Sequence, residues 1–457
     1  MKTLSRLVLP ALLLASAGSA AQAPAPSIPD IHLRPAEAGW RVEYRFAGPV
    51  REFFLLRNPD DSRGREWRSA DPALRIVHEE GRDIVRRQDG QAFSEASFEL
   101  PARFVVFDAD YAPFSPFTDG GVLIHSGRFH ACAVECPKDA QGNDQPWRFS
   151  LEPPAGTNVI VAGELHEGRA EWLDSGSGTM VYAGKGRPIE TAHLLAVVDP
   201  GLPEEARELL ENLLPALMDH FAQRLQAPAE KPMLFASHDP GSDDGRYGSK
   251  GGTLPGQVFM HFYGAGWNDP DRADWLRRWM PWFFAHEAAH LFQQYERSAD
   301  PAASWIHEGG AEAFAYLALQ GMPGSGIPGD FLDEKLEQAA SACAEGLKQG
   351  SLADAQADGR FHNHYECGLV MQLALHAAVV EASHGRQGLF DLWRSYIERT
   401  GAGAPWSVDT FLAVAREFAG EEIADQLHML ATRQPVDAET AMSTLLARAR
   451  QSTNASP

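Results

Sequence analysis

The sequence contains only four cysteines in 457 residues: Cys132, Cys136, Cys343 and Cys367. They do not form the Cys-x-x-Cys pairs that are typical of structural zinc sites, so a four-cysteine zinc site is the less favoured interpretation. No cysteine lies near the N-terminus, which argues against a lipid anchor. In an exported protein an even number of cysteines favours disulfides, with Cys132–Cys136 and Cys343–Cys367 as the simplest pairing, although the sequence alone leaves the pairing open.

The chain also lacks a long apolar segment after its first residues. The short apolar stretch from Leu7 to Ala15 follows two basic residues, Lys2 and Arg6, and contains Pro10. This stretch is too short to span a bilayer, and the small residues after it complete the order that is typical of an export signal. We therefore predict a signal peptide over residues 1–21, no stable membrane anchor, and a periplasmic or secreted mature protein.

Basic residues are few. The 40 Lys and Arg against 62 Asp and Glu give a formal net charge of −22, and removal of the two basic residues of the signal peptide would leave 38 against 62, or −24. An acidic surface repels the phosphate backbone of nucleic acids and anionic membranes. We expect no nucleic-acid partner, and the sequence leaves the oligomeric state open.

Alternating hydrophobic residues characterise residues 24–193. Trp40, Val42, Tyr44 and Phe46 are separated by charged residues, as expected for a strand with one buried face. Comparable short runs, separated by turns that contain Gly or Pro, are Phe104–Phe107, Val122–His125, Trp147–Leu151 and Val159–Ala162. This pattern predicts an N-terminal β-sandwich-like domain.

Strands and helices are mixed in residues 194–330. The predicted elements are a strand at Leu194–Val198, a helix at Pro203–Leu225, strands at Met233–Ala236 and Gln257–Tyr263, and helices after Arg272. The stretch Asp239–Gly256 is rich in Gly, Asp and Ser and is expected to be a loop.

Residues 331–450 are predicted to be helical. Apolar periodicity and stop signals place the helices from residue 330 onward at Asp330–Lys348, Asn363–Ser383, Gln387–Arg399, Val408–Ala419, Glu421–Thr432 and Ala438–Arg450. The polar residues 451–457 are expected to be a frayed tail. The fold class is therefore multidomain α+β, with an N-terminal β-domain, a mixed central domain and a helical C-terminal region that closes the cleft.

The pattern His286-Glu287-Ala288-Ala289-His290 carries the strongest chemical signal. Residues four apart share one face of a helix, so both imidazoles can bind a single metal ion, and Glu287 can take a proton from a metal-bound water. Pro281 is placed in the first turn of this helix. The surrounding apolar residues predict a buried helix, where polar groups need partners, and a zinc ion supplies them. A pair of satisfied core histidines is the less favoured interpretation.

A catalytic zinc ion usually has three protein ligands and one open position, so a third ligand is expected. A candidate follows soon after in the sequence. Glu308 lies in the run Trp305-Ile306-His307-Glu308-Gly309, after a break at Asp300-Pro301. Glu312, one helical turn later, can accept a hydrogen bond from a ligand histidine, and the alternative is a solvated helix residue. His307 is a rival ligand that is expected to point away. The predicted cofactor is one Zn²⁺ ion.

The order His-Glu-x-x-His, a break, and then Trp-Ile-x-Glu-Gly resembles the gluzincin peptidases, above all the aminopeptidase N and glycyl aminopeptidase families. The segment His364-Tyr365-Glu366-Cys367-Gly368 is similar to their Tyr-Glu-Lys-Gly segment, with Cys367 in place of the lysine. The resemblance implies a thermolysin-like catalytic domain and assigns Tyr365 to stabilising the tetrahedral intermediate. The alternative for Tyr365 is a buried tyrosine with a structural hydrogen bond.

Two further features depart from these families. First, 17 residues separate His290 from Glu308, one fewer than is common in aminopeptidase N. Second, the families bind the free amine of the substrate partly through a glutamate on a strand before the zinc helix. The stretch Gly256–Met260 stands in that place, and no glutamate occurs between Glu230 and Glu287. The acidic residues that could substitute are Asp239, Asp243, Asp244 and Asp269, and no motif singles one out.

The sequence therefore predicts an exported zinc metallopeptidase that hydrolyses a peptide or protein substrate with a metal-activated water. The residues that zinc-dependent hydrolysis needs are all present, whereas the glutamate that would give the specificity of an aminopeptidase is not. Two alternatives stay open: a catalytically inactive, zinc-containing binding or scaffold protein, and a zinc endopeptidase or non-peptide hydrolase.

Overall fold

The computed structural model describes residues 28–453, except for residues 59, 108–109, 134–135, 137–145, 242–246, 295–299, 323–324 and 329. The predicted signal peptide and residues 454–457 of the predicted tail lie outside the described residues. Within the described part of the chain, no helix combines the length and the apolar character that a membrane span requires.

The N-terminal part is built almost entirely of strands, as predicted. Its elements are β1 Asp30–Ala36, β2 Gly39–Val50, β3 Glu52–Leu55, α1 Ser62–Glu66, β4 Arg68–Ser69, β5 Leu74–Glu79, β6 Arg82–Arg87, β7 Phe93–Leu100, β8 Phe114–Pro116, β9 Val122–His125, β10 Ala131–Cys132, β11 Trp147–Leu151, β12 Asn158–Val161, β13 Glu164–Glu167, β14 Ala170–Asp174 and β15 Met180–Gly184. They form three sheets, in the orders β14-β11-β1-β2-β7-β4, β10-β3-β6-β5 and β13-β12-β15-β9-β8. Because side chains alternate along a strand, Trp40, Val42, Tyr44 and Phe46 of β2 all enter one core that the three sheets share.

The second part contains a five-stranded sheet in the order β16-β17-β18-β20-β19, formed by β16 Ile189–Glu190, β17 Leu195–Val198, β18 Met233–Asp239, β19 Gly248–Leu254 and β20 Gln257–Tyr263. Strands β17, β18 and β20 are parallel, and β16 and β19 pair antiparallel at the edges. Helix α2, Glu204–Arg224, makes the crossover from β17 to β18 that parallel pairing requires. The sheet begins slightly before the predicted boundary at residue 194.

Helices dominate the rest of the described chain: α3 Ala273–Gln293, α4 Ser304–Gly321, α5 Phe331–Leu347, α6 Leu352–Ala355, α7 Asn363–Ser383, α8 Leu389–Gly401, α9 Val408–Ala419, α10 Glu421–Thr432 and α11 Ala438–Thr453. The ranges of α7, α9 and α10 match the prediction residue for residue. Helix α11 continues three residues into the segment that was predicted to be a tail. Buried side chains of the five-stranded sheet and of the C-terminal helices form one continuous core, so the helical region packs directly on the part that carries the candidate site.

The predicted strand at Phe104–Phe107 is wrong, because the structure has no strand there. Phe104 contacts the imidazole of His261 in a tilted arrangement, with ring centroids 4.0 Å apart, and the ring of Phe107 lies 4.8 Å from the guanidinium of Arg128. These side-chain contacts, rather than a ladder of backbone hydrogen bonds, hold the run in place.

The loop predicted at Asp239–Gly256 is also wrong, because it contains β19. The glycines of this stretch allow close packing of a strand rather than a series of turns. A Cβ atom at Gly251 would collide with the carbonyl oxygen of Phe259 on β20, and a Cβ atom at Gly252 would lie 2.7 Å from the Tyr111 hydroxyl oxygen. The sheet therefore has an edge strand that the amino-acid composition of this stretch did not predict.

The prediction that Pro281 begins the helix of the His-Glu-x-x-His pattern is wrong, because Pro281 lies inside α3. A proline within a helix removes one backbone hydrogen bond. Aromatic side chains at four-residue spacing continue across it: the ring centroids of Trp275 and Trp279 are 4.8 Å apart, and those of Trp279 and Phe283 are 5.1 Å apart. This stacking stabilises the helix on both sides of the proline.

Both disulfides are present, with Cys132 joined to Cys136 and Cys343 joined to Cys367. The structure thus has the simplest pairing and no four-cysteine zinc site. The second disulfide links α5 to the first turns of α7, two residues after Tyr365.

Candidate metal centre and catalytic cleft

Helices α3 and α4 bring the three predicted ligands together. His286 and His290 lie on one face of α3, and their Nε2 atoms are 3.0 Å apart. Glu308, near the start of α4, places its Oε2 atom 3.6 Å from Nε2 of His286 and 3.2 Å from Nε2 of His290. One donor atom from each residue lies within 4.8 Å of the other two.

This donor set fits a zinc ion. The Oε2 atom of Glu308 is buried without a hydrogen-bond partner, and the two imidazoles point their Nε2 atoms at the same place. Leaving a buried carboxylate oxygen unpaired is costly, and a cation at the centre of the three atoms satisfies it. Two imidazole nitrogens and one carboxylate oxygen also form the ligand set of many catalytic zinc sites, which keep a further position open for water.

The electrostatics of the cluster favour positive charge at its centre. Burial lowers the pKa of His286, but Glu308 and Glu312 overcome this effect and raise that pKa to about 10. Burial also opposes the ionisation of Glu308, whereas the adjacent imidazoles of His286 and His290, 3.6 Å and 3.2 Å away, hold its pKa well below the usual value. The carboxylate is therefore ionised, and protons and a metal cation compete for the same nitrogens.

A separate side chain supports each ligand histidine. Oε1 of Glu312, which is buried on α4, lies 3.3 Å from Nδ1 of His286. Its burial argues against the interpretation of Glu312 as a solvated helix residue. Nδ1 of His290 contacts Oε1 of Gln293 at 2.7 Å, a partner that the sequence analysis missed because no motif marks it. The rival ligand His307 lies beside His290, with ring centroids 4.2 Å apart, and is not one of the three residues whose donor atoms converge.

Glu287 projects from α3 into the same cleft as the three ligands. The hydroxyl of Thr253 on β19 donates a hydrogen bond of 2.7 Å to its Oε2 atom. The sequence did not predict this contact of Thr253, because its segment was predicted to be a loop.

Tyr365 lies in the first turn of α7, with its ring stacked on the imidazole of His286 at a centroid distance of 5.6 Å. Burial and the neighbouring Glu308 raise the pKa of Tyr365, so its hydroxyl stays protonated and can donate a hydrogen bond. Helix α7 approaches this closely because Gly368 faces Gly309 of α4: a Cβ atom at Gly368 would lie 2.5 Å from the Cα atom of Gly309.

The cleft in front of the ligands has a volume of about 890 Å³ and is bordered by the edge of the sheet. Residues Gly251 to Gly256 form that border, and Tyr111 reaches it from the N-terminal part. The stretch Gly256–Met260, predicted to stand in place of the amine-binding strand, lies mainly on the inner strand β20, and β19 is the strand that borders the cleft.

Among the described residues that line the cleft, the carboxylates are Glu230, Glu287 and Glu308. Of the aspartates that were considered as substitutes for the amine-binding glutamate, Asp239 and Asp269 are not among these lining residues. Asp243 and Asp244 lie outside the described residues.

Comparisons with known proteins bear on the fold. A search of protein-family models and a search of curated proteins by sequence find no match. Solved structures do match. An aminopeptidase N family protein from Idiomarina loihiensis shares 13% identity over 91% of this chain and 78% of that chain, with a TM-score of 0.59. A variant M1 zinc metallopeptidase from Deinococcus radiodurans, bound to a Tyr-Ser-Ala substrate, shares 15% identity over 89% and 94%, with a TM-score of 0.50.

The chain therefore has the multidomain α+β fold of the M1 zinc metallopeptidases, with a helical C-terminal region, as the sequence predicted. At these low identities the likeness is one of fold, and the activity has to be argued from the site itself.

Proposed function

We propose that this protein is an exported, zinc-dependent metallopeptidase. The observation that carries the proposal is the convergence of the metal-ligand cluster with Glu287 and Tyr365 in one cleft. A scaffold protein needs a metal site at most, whereas hydrolysis needs a base and an oxyanion donor beside it. The peptide bound in the related Deinococcus structure supports a peptide as the substrate class.

The roles of the residues follow from their positions. His286, His290 and Glu308 would hold a zinc ion, which would supply Lewis acidity for the scissile carbonyl and the attacking water. Glu287 accepts the proton of that water and passes it to the leaving amine. The Tyr365 hydroxyl donates a hydrogen bond to the oxyanion that forms when the carbonyl is attacked.

Strand β19 offers a binding edge for the peptide. It is the last strand in the order of its sheet, so one of its edges is not paired with another described strand, and its final residues border the cleft. An extended peptide can add to such an edge through backbone hydrogen bonds, which places its carbonyl groups beside the metal centre. The proposed substrate is therefore a peptide or protein segment in an extended conformation.

A zinc endopeptidase is the second candidate, and the carboxylates of the cleft favour it. Glu308 is committed to the metal and Glu287 to proton transfer. The remaining carboxylate among the described lining residues, Glu230, is exposed on the segment after α2. An exposed carboxylate holds an ammonium group weakly, because solvent screens the pair. The site thus suits internal peptide bonds or peptides with blocked N-termini better than a free amino terminus.

Export is proposed on the basis of residues 1–21 and agrees with the two disulfides, which form and persist in oxidising compartments. The mature protein should be recovered outside the cytoplasm with its N-terminus close to residue 22. A full-length protein that stays in the cytoplasm would contradict this part of the proposal.

The function is tested by comparing the wild type with Glu287→Gln. We expect both proteins to bind about one zinc ion per chain, and we expect only the wild type to cleave a mixed library of free and N-blocked peptides. Loss of at least about a thousandfold in kcat is expected for the variant, since proton transfer and water activation are both removed. A fully active Glu287→Gln variant would exclude the mechanism, and a zinc-loaded wild type that cleaves no peptide would favour the scaffold alternative. Equal cleavage of free and blocked peptides would exclude a strict aminopeptidase.

A further inference from the structure

Gln293, the last residue of α3, contacts both ligand-bearing helices. Its side chain is fully buried, and it lies three residues after His290, on the same face of the helix. Its Oε1 atom is 2.7 Å from Nδ1 of His290, and its Nε2 atom donates a hydrogen bond of 2.8 Å to the carbonyl oxygen of His307. His307 is the residue directly before the third ligand, Glu308.

These two contacts fix the orientation of the Gln293 amide. A backbone carbonyl oxygen can only accept a hydrogen bond, so the NH₂ group of Gln293 has to face His307. The amide oxygen then faces His290 and can only accept, which requires the proton of the neutral imidazole to be on Nδ1. The lone pair of that imidazole is consequently on Nε2, the atom that faces His286 and Glu308.

The surrounding chain leaves room for this amide. A Cβ atom at Gly310 would lie 2.8 Å from Nε2 of Gln293, so a larger residue there would displace the side chain. Gly310 stands two residues after Glu308 in the first turns of α4. Glycine at this position therefore allows the end of α3 to bond to the beginning of α4 next to the ligands.

We propose that Gln293 is a positioning residue of the metal centre: it holds His290 in the tautomer that presents Nε2 to the metal, and it ties that ligand to the backbone that carries Glu308. The proposal rests on the metal centre described above. It also makes the two histidines unequal, because the partner of His286 is the carboxylate of Glu312, whereas the partner of His290 is a neutral amide. The amide orients its imidazole without adding a further negative charge to the cluster.

Zinc affinity tests this role without relying on peptidase activity. Zinc dissociation constants would be measured by competition with a chromophoric chelator for the wild type, Gln293→Met, Gln293→Glu and Gln294→Met. Methionine keeps the length of the side chain but has no amide, glutamate keeps an acceptor for His290, and Gln294 is the exposed neighbour that serves as a matched control. Thermal melts of the zinc-free proteins show whether each variant folds.

We expect Gln293→Met to weaken zinc binding about 10- to 100-fold and Gln294→Met to stay within about threefold of the wild type. Gln293→Glu keeps the acceptor for His290 but loses the donor to His307, so we expect it to weaken zinc binding less than Gln293→Met does. An unchanged affinity in Gln293→Met would overturn the proposal, as would a folded Gln293→Glu that binds zinc as weakly as Gln293→Met. If Gln293→Met does not fold, Gln293→Leu, which also lacks the amide, takes its place in the comparison. A wild type without zinc affinity would remove the metal centre and this role together, whereas a zinc-binding wild type without peptidase activity would leave the test intact.

Discussion

The hydroxyl of Thr253 donates a hydrogen bond of 2.7 Å to the carboxylate of Glu287 and so connects the edge strand β19 to the helix that carries two metal ligands. The bond restrains one oxygen of the proposed base and leaves the other oxygen for the attacking water. The same strand borders the cleft where a peptide would add. In the proposed mechanism, one element of the fold therefore contributes both to the position of the base and to the position of the substrate.

We expect Thr253→Val to lower kcat about tenfold with little change in KM, because the variant loses one orienting hydrogen bond and keeps the shape of the side chain. Thr253→Ser retains the hydroxyl and serves as the control, with kcat within about threefold of the wild type. Steady-state kinetics at matched zinc content provides the measurement. If the valine and serine variants have the same kcat, Thr253 does not position Glu287.

Tyr365 is expected to act on the transition state rather than on the metal. Tyr365→Phe removes only the hydroxyl and preserves the stacking on His286. We expect kcat to fall about 10²- to 10³-fold, as for the loss of other oxyanion donors, while zinc affinity stays unchanged because the phenol is not one of the ligands. Parallel measurements of kcat and of the zinc dissociation constant separate the two effects. A loss of zinc affinity that accounts for the loss of activity would assign Tyr365 to the metal centre instead.

Local sequence patterns predicted that the ligands lie on helices, although α3 begins at Ala273 and not at Pro281 as predicted. His286 and His290 are four residues apart on a strongly apolar helix, so periodicity alone placed their side chains on one face. Helix α7 was predicted residue for residue, because its apolar pattern is long and begins at a clear break.

The partners of these residues depend on contacts between distant segments, which no local pattern reveals. Thr253 lies in a glycine-rich strand that composition identified as a loop, and its glycines are explained only by the neighbours they approach, such as Tyr111 over Gly252. Gln293 ends a helix without any motif, and its role follows from the carbonyl group of His307 on the next helix. Sequence periodicity predicts which side chains share one face of a helix or strand, whereas only the structure shows which helices and strands pack closely against each other.

The crossing of α4 and α7 should be intolerant of any side chain at Gly309, because a Cβ atom there would collide with the Cα atom of Gly368. We expect Gly309→Ala to lower the free energy of unfolding by at least about 2 kcal/mol, as overpacking of a core does, and to reduce activity by shifting Tyr365. Gly321, the last residue of α4, has open space around its Cα atom. Gly321→Ala is therefore the matched control and should be neutral or stabilising by up to about 1 kcal/mol. Chemical denaturation of both variants in the zinc-free state measures the difference, and equal stabilities would contradict the tight crossing.

One buried histidine in the N-terminal part, His125, should make the protein sensitive to acid. His125 is fully buried at the end of β9, and its Nε2 atom lies 2.9 Å from the carbonyl oxygen of Ser177. Burial and the nearby Arg57 lower the pKa of His125 to about 3. Since an unfolded histidine has a pKa of about 6.5, the unfolded chain binds a proton between these two values that the folded chain does not bind. Acid therefore favours the unfolded state through this residue.

We expect the contribution of His125 to reduce the free energy of unfolding by about 1.4 kcal/mol for each pH unit between roughly pH 6 and pH 4, and to be absent above pH 7. His125→Gln keeps an N–H donor for the Ser177 carbonyl group and removes the titration. Urea denaturation from pH 7.5 to pH 4.5 should accordingly show that the free energy of unfolding falls less steeply with decreasing pH in the variant. The difference in slope should correspond to about one proton fewer taken up on unfolding. The variant starts less stable at neutral pH because the imidazole fits its site better, and the difference from the wild type should narrow as the pH falls. Parallel curves would mean that His125 binds its proton equally in the folded and unfolded states, which would contradict a lowered pKa in the folded protein.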